Sequence, residues 1–229
     1  MAGAAFAAAL AFAASPLLAP GFNGFDPSQF PVPQDNPPVQ PAGYAFAIWG
    51  LIYLWLIAGT GFGLFRRADD ADWAPMRPPL VVSLAVGAFW LPVAQVSVPG
   101  ATAMIWVMLA YAVRALARAG DTDRWWQTSP VAIYAGWLTA ASCVSVGLVL
   151  AGYGVMPETP AALVSLVLAV GVAVTVQYRL HRAPEYGIAV IWALIGVIVA
   201  NTAPFNAAVA GLAFLGIVAI LAVRGTDTE

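Results

Sequence analysis

Long apolar runs, broken by short polar clusters, recur along the whole chain. Eight runs stand out, at Gly3–Leu18, Gly43–Phe65, Leu80–Val98, Ala101–Leu116, Pro130–Tyr153, Ala161–Tyr178, Gly187–Ala200 and Phe205–Val223. Most are close to the roughly 17–25 residues a helix needs to cross a bilayer, and Gly187–Ala200 is the shortest. The breaks between them alternate in character. Arg66, Arg67, Arg77, Arg114, Arg118, Arg124, Arg179 and Arg182 cluster at the breaks after the second, fourth and sixth runs, and Arg224 follows the last. The other breaks carry no arginine. A Lys/Arg excess in short loops marks the cytoplasmic face. The pattern therefore predicts an all-α, polytopic membrane bundle of eight transmembrane helices with both termini in the cytoplasm.

The first run is the least regular. It is rich in alanine, and Ala11–Ser15 resembles the end of a signal peptide. Signal peptides normally open with a basic segment, which is missing here, so the reading keeps a helix. Cleavage is the alternative, and it would leave the other seven runs facing the same way.

One break is long. Residues 20–42 carry Pro31, Pro33, Pro37, Pro38 and Pro41 with Asp26 and Asp35 but no arginine. Proline removes backbone donors and fixes φ, so this segment is not a helix. Loops of such length in compact folds are usually functional or disordered. Phe22, Phe25 and Phe30 suggest packing onto the mouth of the bundle.

Composition agrees with the pattern. The chain is 62% hydrophobic and 9% charged, against roughly 25% charged in a soluble domain. It has one cysteine, Cys143, one histidine, His181, and no lysine. An internal disulfide, a cysteine or histidine metal site, a retinal Schiff base and a P-loop are all excluded, and no basic surface calls for nucleic acid. The inferred spans carry no ionisable residue near mid-membrane, where coupled pumps usually place one. No acid–base or nucleophilic constellation is visible. The chain is read as a non-enzyme without metal or cofactor.

The aromatic residues are the candidate chemistry. Phe46, Trp49 and Tyr53 share one helix face, with Gly50 beside them. Tyr134 and Trp137 are neighbours on the fifth helix. The two groups start from opposite ends and would meet only near mid-depth. Such faces serve either core packing or a flat, mostly apolar ligand. Pro92 sits inside the third run beside Phe89 and Trp90 and predicts a kink, with Trp90 or Gln95 near the freed carbonyl. Trp125-Trp126 reads as an interfacial anchor, and Asn201 and Asn206 as turn residues. Gly59 and Gly63 form a Gly-xxx-Gly pair, suited to internal packing or to a homodimer seam.

Pro41-Ala42-Gly43-Tyr44-Ala45-Phe46-Ala47-Ile48-Trp49-Gly50-Leu51-Ile52-Tyr53 resembles the second-helix signature of the TspO/MBR family, the tryptophan-rich sensory proteins related to the mitochondrial translocator protein. Phe89-Trp90 resembles the family's third-helix aromatic patch. Pro130, Tyr134 and Trp137 through Ala141 resemble its fifth-helix pattern. Order and spacing agree from the first run through the fifth. The resemblance implies a five-helix unit at residues 1–154 with a ligand pocket, lidded by the external loop 20–42, and three additional helices at 155–229. It implies binding of a flat hydrophobic molecule, porphyrin-like or sterol-like, in a sensing, regulatory or transport role. Tyr44, Phe46, Trp49, Tyr53, Trp90, Tyr134 and Trp137 would line or support the pocket. Three departures stand out: the extra helices, a shift of the second-helix aromatic to Phe46, and Ala141-Ser142-Cys143 where an asparagine often follows the fifth-helix motif. A facilitative carrier, with its path between the first five helices and the last three, and an assembly partner using the Gly59/Gly63 face are the alternatives.

Overall fold

The computed structural model describes residues 1–18, 24–181 and 183–225. Phe22 and Arg182 lie outside the described residues. Eight helices follow one another: α1 Ala2–Leu18, α2 Ile48–Arg66, α3 Arg77–Ala94, α4 Val98–Ala117, α5 Thr128–Gly152, α6 Glu158–Leu180, α7 Pro184–Ala200 and α8 Ala207–Gly225. A 3-10 turn, Gly43–Ala47, leads into α2. Six of these segments are long and apolar enough to cross a membrane, and α1 and α7 are shorter apolar helices. The chain is a multi-pass helical membrane protein.

Two of the boundaries that differ from the sequence reading do so for a clear local reason. The expected third span ran through Val98, but α3 stops at Ala94 and Val98 already belongs to α4. Ser97 decides this: its side chain accepts the Gly100 N–H as an N-cap, and Pro99 sits two residues on, in the first turn. At its other end α3 starts three residues early, at Arg77, which is buried. That arginine is spent on α2. Its guanidinium donates to the carbonyls of Gly63, Arg67 and Ala68, where α2 runs out of backbone donors.

Short connections from α2 onward make consecutive helices antiparallel, and α1 also runs against α2, with Phe6 beside Gly61 and Phe12 beside Trp49. All described arginines therefore lie at one end of the bundle, and residues 24–42 at the other. At the arginine end two loops interlock. Asp123 takes hydrogen bonds from Arg67 Nε at 2.8 Å and Trp73 Nε1 at 3.0 Å. Trp55 Nε1 donates to the Trp125 carbonyl, and Gln127 Nε2 to the Asp72 carbonyl. Trp125 and Trp126 are exposed and stack on Trp55 and Phe62.

Helix α5 lies at the centre. Every residue from Thr128 to Ala140 is buried, the pattern of a helix surrounded by protein rather than lipid. On one side α1, α2, α3 and α4 complete a ring with it; on the other α6 and α7 pack against it, and α8 packs on those two. Small residues permit the close approach. Gly136 faces the Tyr186 backbone of α7, and Gly147 faces Ser165 of α6 and Val39 of the long loop. The Gly59/Gly63 pair is also consumed internally, against Pro130 and the Trp126 backbone for Gly59 and the Trp73 ring for Gly63. That face leaves no seam for a second copy.

Candidate ligand cavity

Inside the ring, at the end away from the arginines, is a cavity of about 430 Å3. Small-molecule sites typically occupy ~300–1,000 Å3 and are mostly apolar with a few polar groups. Phe46, Trp49, Tyr53, Trp90 and Trp137, five of the seven residues predicted from sequence, line it. They meet because the aromatic faces of α2 and α5 converge: Trp137 stands edge-on to both Phe46 and Trp49, and Trp49 stacks on Tyr53. Offset and edge-to-face pairs of this kind are each worth ~0.5–1.5 kcal/mol beyond burial, so the walls hold their shape without a ligand.

The other two predicted residues lie elsewhere. Tyr134 is fully buried and absent from the cavity wall. Ser83 donates its proton to the Met108 carbonyl at 2.7 Å, so the Tyr134 hydroxyl is the donor in its 2.9 Å bond to Ser83 Oγ. Tyr134 thus locks α5 to α3 and α4 and supports the cavity through Phe12, whose ring it touches. Tyr44 is a correction. It points away from the cavity, 46% exposed, and meets Trp192 of α7 edge-on. The 3-10 winding of Gly43–Ala47 takes Tyr44 off the face that Phe46 and Trp49 share.

Sequence reasoning missed the contribution of α1. Phe12 makes edge contacts with Trp49 and Tyr53 at 5.9 and 5.1 Å, and it reaches them because Gly87 of α3 leaves room for its ring. Ser15 also lines the cavity. Its buried hydroxyl lies near the Tyr53 side chain but makes no hydrogen bond of ordinary geometry. The i, i+3 spacing of Phe12 and Ser15 is the available signal, and in an alanine-rich run it is faint.

Two indoles differ in a way that matters. Trp90 Nε1 donates to the Ala101 carbonyl at 2.8 Å, tying α3 to α4 rather than serving the carbonyl freed by Pro92. Trp137 Nε1 is buried and has no acceptor. A buried donor left unmade costs about 1–3 kcal/mol, and Trp137 borders the cavity.

The long loop roofs this space. Gln29 Nε2 donates to the carbonyl of Ala94, the last residue of α3, and the Val32 N–H donates to that of Gly152, the last of α5. Both are helix-end carbonyls without an intrahelical donor. Phe25 packs on Phe30 and Trp90. The far arm of the loop is held by α7. Asn201 Nδ2 donates to the Pro38 carbonyl, the Ala42 N–H to the Gly196 carbonyl, and Trp192 Nε1 to the Ala45 carbonyl. Asn201 is thus more than a turn residue. The contact of α5 with α6 and α7 contains a void of about 20 Å3, room for about one water.

Among the described residues no cluster of His, Cys, Asp and Glu is placed to hold a metal. A family model described as TSPO-like protein matches residues 22–225, which takes in α6, α7 and α8 as well as α2 to α5. No curated protein and no solved structure matches the chain.

Proposed function

The chain belongs to the TSPO-like protein family, and on that premise we propose that it binds a flat hydrophobic molecule, tetrapyrrole-like or sterol-like, in the aromatic cavity, as a sensing, regulatory or transport protein. The observation that carries this reading is the 430 Å3 chamber walled by Phe12, Phe46, Trp49, Tyr53, Trp90 and Trp137. The rings of Trp49, Tyr53 and Trp137 supply stacking and edge contacts. The protein acts by binding in this reading. In this reading the arginine end faces the cytoplasm of a bacterial inner membrane, with both termini there, and the loop and cavity mouth face outward.

Tryptophan-fluorescence quenching of the purified chain by protoporphyrin IX, haem and a sterol tests the binding. Saturable micromolar binding, lost in a folded Trp49→Ala variant, is expected. Failure of all three ligands to bind, or binding indifferent to that substitution, would remove the reading. Orientation is tested in a Cys143→Ala background: Asp35→Cys should react with an impermeant thiol reagent on intact cells, and Asp69→Cys only after permeabilisation.

A further inference from the structure

The cavity has a second, smaller chamber. It measures about 70 Å3 and shares Gly24, Phe46, Trp90, Ile105, Trp137 and Ala141 with the main one. From Trp137 it runs along α5 toward the loop end, between Ala140, Val144 and Leu148 below and Phe25 and Pro41 above.

The two chambers differ in chemistry. The main chamber has Tyr53 on its wall, with the Ser15 hydroxyl buried just behind it. The side chamber is walled by carbon apart from the Gln40 amide. Its one hydroxyl, on Ser145, is spent on the Ser142 carbonyl at 2.7 Å. It is too small for a fused ring. Its roof is fixed rather than loose: Pro41 packs against Gly196 of α7, where an added Cβ would come within 2.9 Å of it, and the next residue, Ala42, is bonded to the Gly196 carbonyl.

Resting on the ligand reading above, we infer that the side chamber is a separate subsite for a saturated hydrocarbon substituent, so that the ligand is a ring system carrying an aliphatic arm. The ring occupies the main chamber and the arm lies under Phe25 and Pro41 along α5. Shape selects the arm. A ligand arriving from lipid leaves one hydrocarbon environment for another, so burial alone gives little preference, and the walls at Val144 and Leu148 set the length accepted.

The test uses the full chain in detergent, with equilibrium quenching by two probes, methyl 2-naphthyl ketone and hexyl 2-naphthyl ketone. Wild type should bind both. Val144→Phe fills the side chamber and should weaken the hexyl ketone about tenfold or more, as overpacking of a filled site does, while leaving the methyl ketone within about twofold. Leu148→Ala enlarges it and should let an octyl ketone bind as well as the hexyl one, which gives a second readout if Val144→Phe does not fold. Equal binding of the hexyl ketone by wild type and Val144→Phe overturns the subsite. So does parallel loss of both ketones in Val144→Phe, or binding of the methyl ketone alone by wild type; each of these leaves the ring site standing. Failure of wild type to bind either ketone or any of the three ring ligands above overturns both.

Discussion

Trp192 of α7 donates its indole N–H to the carbonyl of Ala45 over 2.9 Å, joining positions 147 residues apart. Ala45 belongs to the 3-10 turn that delivers Phe46 and Trp49 to the cavity. Helix α7 therefore holds the rim of the cavity. Trp192→Phe keeps the ring and removes the donor. Ala45 retains the Ile48 N–H as a partner, so the loss falls within the ~0.5–1.5 kcal/mol of an ordinary hydrogen bond, and ligand dissociation should quicken by about 2–10-fold. Stopped-flow release of protoporphyrin IX reads this directly. An unchanged rate would mean α7 packs against the rim without restraining it.

Tyr134 and Trp137 sit one turn apart on α5 and should respond differently. Tyr134→Phe removes a buried hydroxyl but leaves Ser83 bonded to Met108, so stability should fall by about 1 kcal/mol with affinity little changed. Trp137→Phe removes the unpartnered donor and part of the wall, and affinity should drop by about tenfold or more. Thermal melts and quenching titrations of both variants separate the roles. Equal losses of affinity would place Tyr134 in contact with the ligand after all.

Gly87 is the residue that admits Phe12. A Cβ there would lie 2.7 Å from two carbons of the Phe12 ring and 3.0 Å from Met108 Cε. Gly87→Ala should displace the ring into the cavity, costing about 1–3 kcal/mol of stability and a comparable factor in binding. Retained affinity alongside a lowered melting point would show that the ring can move away from the cavity.

The ion pair at the arginine end sets an acid limit on stability. Hydrogen bonding from the Arg67 guanidinium, reinforced by the Trp73 indole and by the arginine's charge, holds the Asp123 carboxyl below the usual range against the smaller opposing effect of burial. A carboxylate with a depressed folded pKa contributes stability in full above its ordinary value of about 4 and loses it as the pH falls through the folded value. The same contact raises the Arg67 pKa, which alters stability only at strongly alkaline pH. Asp123→Asn should melt a few degrees below wild type at neutral pH, with the gap closing as the buffer is taken below the carboxylate range. A gap independent of pH would assign the loss to geometry rather than charge.

The candidate site was partly legible because aromatic residues repeat at helical spacing. Phe46, Trp49 and Tyr53 could be placed on one face from periodicity, and they line one wall. Tyr44 could not be placed, because the turn before α2 is 3-10 and spaces side chains differently. Phe12 escaped notice because nothing within α1 distinguishes a cavity-facing phenylalanine from a lipid-facing one. Its role depends on the room left by Gly87, on another helix.

By itself the sequence determined the membrane class, the eight helices, the side on which the arginines gather and the resemblance to the family. Each of these follows from local hydropathy, charge and spacing, since a bilayer demands long apolar helices and sorts charge by loop. Tertiary structure alone decided which aromatic residues share a cavity, that Trp137 keeps a free donor while Trp90 does not, that Gly59 and Gly63 face inward, and that α7 clamps the roof. The physical reason is the uniformity of the helices. Nearly every face is apolar, so composition does not mark which one meets lipid, and only close packing against particular neighbours does.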